Sequence, residues 1–279
     1  MPDVRQPMNK FQKYSLTIAI ALTVLTPLWF IAAALGTRFE LWSIGFGLLR
    51  MSFQWGVLLI AAALTFSLGA FVINVATPPR RGAIIAVICM ALCGMAMGRI
   101  AGIGQDTAAL PPIHDIQTDW TDPVAFSDAH VAEREANGWN EIKDNPVVPE
   151  AAGGRWPDAV GKSNAELQDS TESYRDKAGK PLAPLILERS MDEAFDLAVA
   201  TAERQGWAVR LTEPGLGRIE ATETSTWYGF TDDIAIRVRS DGAGSRVDVR
   251  SISRIGLSDM GANYARVKGY LDDLALAGR

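Results

Sequence analysis

The sequence predicts an α+β protein in which three transmembrane helices carry a domain outside the membrane. Three apolar stretches occupy roughly the first hundred residues, and each approaches the ~20 residues that a helix needs to cross a bilayer. The C-terminal part instead contains β-rich runs between two amphipathic helices. This order predicts an antiparallel sheet of about four strands with helices packed on one face.

The predicted spans cover residues 15–35, 52–76 and 83–103 of a membrane domain that comprises residues 1–104. The first apolar run is longer than that of a cleaved signal peptide, so we interpret it as a retained span. Transporters and proton relays need ionisable groups at bilayer depth, and the middle of each stretch carries none. The spans are therefore expected to be structural.

Basic residues predict the orientation. Arg5, Lys10 and Lys13 precede the first span, and Arg80 and Arg81 separate the second from the third. Both segments face the same side, which the positive-inside rule makes cytoplasmic. Three spans then bring the C-terminal domain to the outside, which in a Gram-negative bacterium is the periplasm. The expected location is therefore a bacterial inner membrane.

The two halves of the chain differ in charge. Residues 1–104 contain 8 Lys and Arg against 2 Asp and Glu, whereas residues 105–279 contain 19 against 30. An acidic domain repels phosphate backbones, so nucleic acid is not an expected partner. Cys89 and Cys93 both lie in the third span, which leaves the extramembrane part without a disulfide or a thiolate metal site.

Gly94, Gly98 and Gly102 repeat every fourth residue in the third span and share one helical face, here called the glycine face. Such a face lets a second helix approach closely. The approaching helix belongs either to the same bundle or, in a homodimer or membrane complex, to another chain. The sequence leaves both explanations open.

The extramembrane part divides into an extended segment with a long loop, residues 105–184, and an α+β domain, residues 185–279. The first is rich in Gly, Pro, Asn and Asp, with one short helix predicted near residues 163–174. In the second, Ser190 and Glu193 form a capping box that begins a helix. Four β-rich runs and a final helix follow.

A tight turn at residues 241–244 predicts the register of the last two strands. It sets Arg239 opposite Arg246 and Arg237 opposite Asp248. One face of the sheet is then apolar and covered by helices, while arginines and carboxylates form the other face.

This polar face predicts recognition of an anionic group, because the planar guanidinium makes bidentate contacts with carboxylate or phosphate. The start of the final helix adds a capping carboxylate and a helix N-terminus, which favours anions. A solvated face of weak ion pairs would explain the same pattern. The predicted ligand-binding residues are Arg237, Asp248, Arg250, Arg254 and Asp259.

Three aromatic residues, Trp227, Tyr228 and Phe230, crowd one hairpin loop. They either cap the open end of the core or form an exposed anchor for a partner or the membrane surface. We predict the contact role for them and for the glycine face.

Several short motifs stand out in the extramembrane part. They are PPIHDI (111–116), TD (118–119), DP (122–123), IEAT (219–222), WYGFTDDIAIRV (227–238), DVRS (248–251), SRIG (253–256) and SDMGAN (258–263). Together they resemble the domain-of-unknown-function family numbered 1499 over most of residues 108–276. One departure is Tyr174, which Arg175 follows where the family usually has proline. The resemblance implies an envelope or lumenal protein and no particular chemistry.

His114 and His130 are the two histidines of the chain, and nearby carboxylates add further atoms that could bind a metal. Their spacing matches no standard site, and Asp in a turn-rich segment ordinarily hydrogen-bonds the backbone. Neither a metal nor another cofactor is therefore expected. The carboxylates concerned are those of Asp115, Asp119 and Asp122.

An enzyme is the rival interpretation. Asp232, Asp233 or Glu220 could act as the base of a hydrolase or transferase with an envelope substrate. Adjacent strand residues point to opposite faces, however, so Asp232 and Asp233 would not share a proton. Catalysis is left open but not favoured.

The leading hypothesis is a membrane-anchored envelope protein whose periplasmic module binds a ligand or partner without catalysis. The expected partners are the lipid bilayer and an anionic small molecule, a lipid or an envelope protein. A structural subunit of a membrane complex, docked through the glycine face, is a further alternative.

Overall fold

The computed structural model describes residues 7–279, and Arg5, used above to predict orientation, lies outside the described residues. The chain divides into two units. The first extends to Asp106 and includes Thr226–Gly229, and the second comprises Thr107–Ser225 and Phe230–Arg279. The predicted α+β class is confirmed, because three apolar helices precede an antiparallel sheet with packed helices.

The first unit contains α1 (Lys10–Arg38), a second helix, α2 (Gly45–Ala76), whose first part Gly45–Gly56 is π-helical, and most of α3 (Gly82–Ala108). All three are long and apolar enough to cross a membrane. The apolar part of α3, Gly82–Gln105, has 24 residues. At about 1.5 Å per residue it extends ~36 Å, more than the ~30 Å hydrocarbon core. The three predicted apolar helices are confirmed as candidate membrane spans, which is the pattern of a membrane protein.

The start of α1 adjoins the connection between α2 and α3. The side-chain amide of Gln12 donates to the carbonyl oxygens of Thr77 at 2.7 Å and Pro79 at 3.2 Å. The described basic residues of the orientation argument therefore lie at one end of this unit. These residues are Lys10, Lys13, Arg80 and Arg81.

The second unit is built on a six-stranded antiparallel sheet in the order β1-β6-β5-β4-β3, with β2 also paired to β6. Two strands were not predicted, because each has three residues in a proline-containing segment and shows little alternation. The strands are β1 (Asp115–Gln117), β2 (Leu185–Leu187), β3 (Ala208–Glu213), β4 (Arg218–Thr224), β5 (Thr231–Asp241) and β6 (Gly244–Ser253).

One face of the sheet is apolar and packs against α6 (Met191–Arg204) and α7 (Ala262–Ala277). Ile236 lies opposite Val249 and Val238 opposite Val247, all four fully buried. The predicted register is confirmed on the other face as well, with Arg237 opposite Asp248 and Arg239 opposite Arg246. The predicted capping box at Ser190 and Glu193 is also present.

Much of the polar face is shielded from solvent, because residues 118–142, here called the covering segment, lie over it. Their helix, α4 (Asp128–Ala136), follows Val124 and Phe126, which pack against Ala235 and Ile252 of the sheet. The buried side chains of α4 are His130 and Arg134. A helix that buries polar groups shows no apolar periodicity, which is why the sequence predicted no helix here.

A second short helix, α5 (Asn164–Ser170), lies within the predicted range 163–174. The side chain of Gln168 accepts a hydrogen bond from the backbone of Gln117 at 3.2 Å and donates to its carbonyl at 2.8 Å. Because Gln117 belongs to β1, α5 holds the outer edge of that strand and supports the place where the covering segment begins.

Candidate functional site

Three aspartates around the start of the covering segment form ion pairs with arginines of β5 and β6. The order of the aspartates along the chain is the reverse of the order of their arginine partners. The pairs are Asp115 with Arg250, Asp119 with Arg246, and Asp122 with Arg239. This order follows from topology, because β1 runs antiparallel to β6 and the chain continues in the same direction. We call the whole set the ion-pair network. It comprises these six residues with Arg134, Asp233, Arg237, Asp248 and Arg254.

The most deeply buried pair of the network joins Arg250 to Asp115. Nε of Arg250 donates to Oδ1 of Asp115 at 3.0 Å and Nη2 donates to Oδ2 at 2.6 Å. The arginine is 1% exposed and the aspartate 0%. The guanidinium also donates to the carbonyl oxygens of Val124 and Lys143. Asp115 belongs to the neighbouring strand β1, Val124 to the covering segment, and Lys143 follows that segment directly, so Arg250 links β1 and both ends of the cover to β6.

Three arginines, Arg237, Arg239 and Arg246, converge on Asp248 and are called the arginine cluster. The Asp248 carboxylate is fully buried and lies 3.3, 3.0 and 2.9 Å from their respective nitrogens. Asp122 closes the cluster from outside and accepts from Arg239 at 2.5 Å and Arg237 at 3.2 Å. The hydrogen bond from Arg239 lowers the pKa of Asp122. The inner carboxylate is fixed, whereas the outer one, whose side chain is 51% exposed, meets solvent.

A third group surrounds Asp233, which is fully buried. Its carboxylate accepts from Arg134 and from Arg254, the latter at 2.8 Å, and lies 3.3 Å from Nε2 of His130. Burial alone would raise the pKa of Asp233, but the neighbouring His130 and the hydrogen bonds from Arg254 outweigh it and lower this pKa to about 2. The guanidinium of Arg254 also lies 3.8 Å from the ring centre of Trp139.

The other candidate bases have different partners. Asp232 binds Arg266 of α7 at 2.6 Å, so it points to the face opposite Asp233, as predicted from strand geometry. Glu220 accepts from the hydroxyl and the backbone N–H of Ser127. Both carboxylates are held by groups of the elements that cover the sheet. Their contacts join helices to the sheet on its two faces.

A family model described as "Protein of unknown function (DUF1499)" matches residues 115–274, more than half of the chain. The chain belongs to this family. The resemblance predicted from the motifs is thereby confirmed. The DUF1499 region begins at Asp115 and ends within α7, so it contains the sheet and the whole ion-pair network. A search of curated proteins found no match to the chain.

The five predicted ligand-binding residues do not form one site in the DUF1499 region. Arg237 and Asp248 meet, as the register predicted. Arg250 and Arg254 are instead engaged with Asp115 and Asp233. Ligand binding by this set stays a prediction, and the contacts favour a structural role for Arg250.

Asp259, the fifth residue, caps α7 with its own carboxylate. Its two oxygens accept from the backbone N–H groups of Gly261 at 2.7 Å and Asn263 at 3.1 Å. Burial raises the pKa of Asp259 to about 6. The helix N-terminus that was predicted to attract an external anion is therefore occupied by an internal one.

The predicted contact residues lie at the surface to different degrees. Trp227 is 57% exposed, whereas Tyr228 and Phe230 are half-buried. On the glycine face, Gly94 and Gly98 are exposed, and a Cβ atom added at any of the three glycines would meet no atom within 4 Å among the described residues. The glycine face is therefore not packed against α1 or α2.

Sequence reasoning missed the partners that hold the network together. Asp115, Asp119 and Asp122 were weighed only as metal ligands, and Arg134 was not considered. The signal was present, since three acidic residues at spacings of three and four precede a strand pair rich in arginine. It could be recognised only with the topology in hand, because the pairs lie more than a hundred residues apart.

The lowered pKa of Asp233 predicts loss of stability in acid. Its folded-state pKa of about 2 lies below the ordinary 3.8, so its stabilisation is complete above pH 3.8 and disappears as the pH falls towards 2. The difference corresponds to about 2 kcal/mol. Urea unfolding of the full-length protein in detergent, followed by circular dichroism across this range, measures the effect.

Asp233→Asn is expected to be less stable at neutral pH and to lose less stability on acidification than the wild type. Asp196→Asn, at an exposed position of α6, is the control and should keep the wild-type pH profile. If acidification lowered the free energy of unfolding of Asp233→Asn as much as that of the wild type, the contacts of Asp233 would not set this pH dependence.

Proposed function

We propose that the protein is a membrane-anchored, non-catalytic binding module that recognises an anionic group through the arginine cluster. The observation that carries the proposal is the position of Asp122. This half-exposed carboxylate lies on the guanidinium groups of Arg237 and Arg239, whose inner side is fixed by the fully buried Asp248, while Asp119 binds Arg246 in the same way.

Asp122 occupies the position that a carboxylate or phosphate of a ligand would take. The side chains of Arg239 and Arg246 are 39% and 30% exposed, so a ligand can reach them from solvent. Asp248 holds the guanidinium groups in place when Asp122 moves away, which reduces the entropy lost on binding. A ligand with two or three oxygens would satisfy more donors than one aspartate does.

The contacts of Asp233 favour binding over acid–base catalysis. A general base works best with a pKa near the working pH, and the pKa of Asp233 is lowered to about 2. A carboxylate held by two arginines is a structural anion at neutral pH. The hydrolase or transferase alternative therefore draws no support from this residue.

We further propose that the module lies on the periplasmic side of a bacterial inner membrane. The basic residues Lys10, Lys13, Arg80 and Arg81 cluster at one end of the helical unit, which supports a cytoplasmic position for that end. Because the number of spans is odd, the C-terminal domain then lies on the opposite side of the membrane.

Native mass spectrometry of the full-length protein, extracted gently from its own membrane, tests the binding proposal. We expect a bound anionic species in the wild type and its loss in Arg239→Gln. Removal of one charge-assisted hydrogen bond should weaken binding about tenfold. The matched control is Arg218→Gln, which removes an arginine of the neighbouring strand whose partner is Glu213.

Asp122→Asn sharpens this test, because it weakens the internal competitor and should increase the bound fraction. Equal occupancy in Arg239→Gln and wild type would contradict the proposal, as would a wild-type protein that carries only detergent and structural lipid. The mass of the bound species separates a lipid from a small soluble anion.

The open glycine face supports a second candidate function, that of a subunit in a homodimer or membrane complex. Gly98→Leu adds a side chain where a second helix would approach, so we expect it to disrupt assembly. Gly69→Leu, at an exposed position of α2 with no atom near its added Cβ, should leave assembly intact. Cross-linking in native membranes measures both variants, and assembly that survives in Gly98→Leu would contradict this role.

A further inference from the structure

The loop between β6 and α7, residues 254–261, exposes three large apolar side chains. Ile255 is 38% exposed, Leu257 39% and Met260 44%. Other exposed apolar residues of the second unit, such as Leu216, lie singly in the sequence. Between Ile255 and Ser258 the loop carries no charged residue. An apolar, uncharged and exposed group of this kind marks a contact surface.

The loop that exposes these three side chains is held in one conformation by hydrogen bonds. Asn140 donates from its backbone N–H to the carbonyl of Arg254 at 2.7 Å and from its side chain to that of Gly256 at 2.9 Å. Asp259 donates from its backbone N–H to the carbonyl of Ile113 at 3.1 Å. Gly256 adopts φ +92°, a conformation that glycine allows and other residues rarely adopt. The loop is therefore tied at both ends while its apolar side chains point outward.

The position of the loop along the chain indicates what covers it. The apolar part of α3 ends at Gln105 and the helix ends at Ala108, about 5 Å further along its axis, and Ile113 is already bonded to the loop. Five residues of extended chain span at most about 17 Å. Leu110 shortens this distance further, because its side chain packs beside Gly261, where an added Cβ would lie 3.1 Å from Leu110 Cδ1. The surface of the bilayer that α3 leaves is therefore within reach of the loop.

We propose that Ile255, Leu257 and Met260 insert into the interfacial region of the lipid bilayer. The loop then acts as a second membrane contact of the DUF1499 region, beside its covalent attachment to α3. Partial burial of three apolar side chains among lipid headgroups removes them from water. The contact would hold the domain in one orientation relative to the membrane plane and would leave the arginine cluster free to bind.

A fluorophore placed at Leu257→Cys tests the proposal in full-length protein from which Cys89 and Cys93 have been replaced by alanine. The protein is reconstituted into phosphatidylcholine vesicles that contain a lipid with a nitroxide near its headgroup. We expect quenching at position 257 several-fold stronger than at Leu216→Cys, with reduced access to aqueous iodide. A second label at Ile255→Cys guards against a local effect of one substitution and should behave like the first.

Two results would overturn the proposal. Quenching by the lipid nitroxide at positions 255 and 257 that is no stronger than at 216 would place the loop in water. Protection from iodide without quenching by the lipid would mean that a second copy of the chain covers the loop. Circular dichroism of each labelled protein verifies that the fold is retained.

Discussion

Arg250 and Asp115 lie against each other beneath the covering segment, and both are almost entirely removed from water. Their attraction largely offsets the cost of burying each charge, so the net gain in stability is small. Loss of either partner, in contrast, leaves an uncompensated buried charge, which costs about 3–5 kcal/mol. The pair therefore acts mainly through specificity, because it fixes β1, and with it the start of the covering segment, at one position beside β6.

The rest of the second unit follows from this constraint. With Asp115 fixed on β6, the chain that continues past β1 brings Asp119 and Asp122 to the arginines of β5 and β6 in order. The segment then turns into α4, whose Arg134 reaches the buried Asp233. The polar face would be exposed to solvent in an isolated sheet, but the covering segment turns much of it into a polar interior. The network meets solvent at its outer edge, where the side chains of Asp122, Arg239 and Arg246 are partly exposed.

Much of the architecture could be predicted because it depends on local patterns. Apolar run lengths gave the three membrane helices, and the turn at residues 241–244 with strand alternation gave the pairing of Arg237 with Asp248. Ser190 and Glu193 gave the start of α6. In each case the determining residues lie within a few positions of one another, so the sequence carries the signal directly.

The cover of the polar face could not be predicted for the opposite reason. α4 buries His130 and Arg134 where an amphipathic helix would bury leucine or valine, and β1 has only three residues. Their partners lie far away in sequence. Which acidic residue pairs with which arginine can be inferred only once the order of the strands in the sheet is known. The sequence therefore predicted which sheet face carries these side chains, but it assigned them to a ligand when the chain itself supplies most of their partners.

Amide hydrogen exchange of the full-length Arg250→Gln variant tests this account most directly. The account predicts that amides of the covering segment exchange about a hundredfold faster or more, while those of β3 and β4 stay close to wild type. Arg218→Gln, which removes an arginine of β4 whose partner Glu213 lies on the edge strand β3, should leave the covering segment protected. If exchange in the covering segment of Arg250→Gln matched the wild type, the buried ion pair would not be what holds that segment to the sheet.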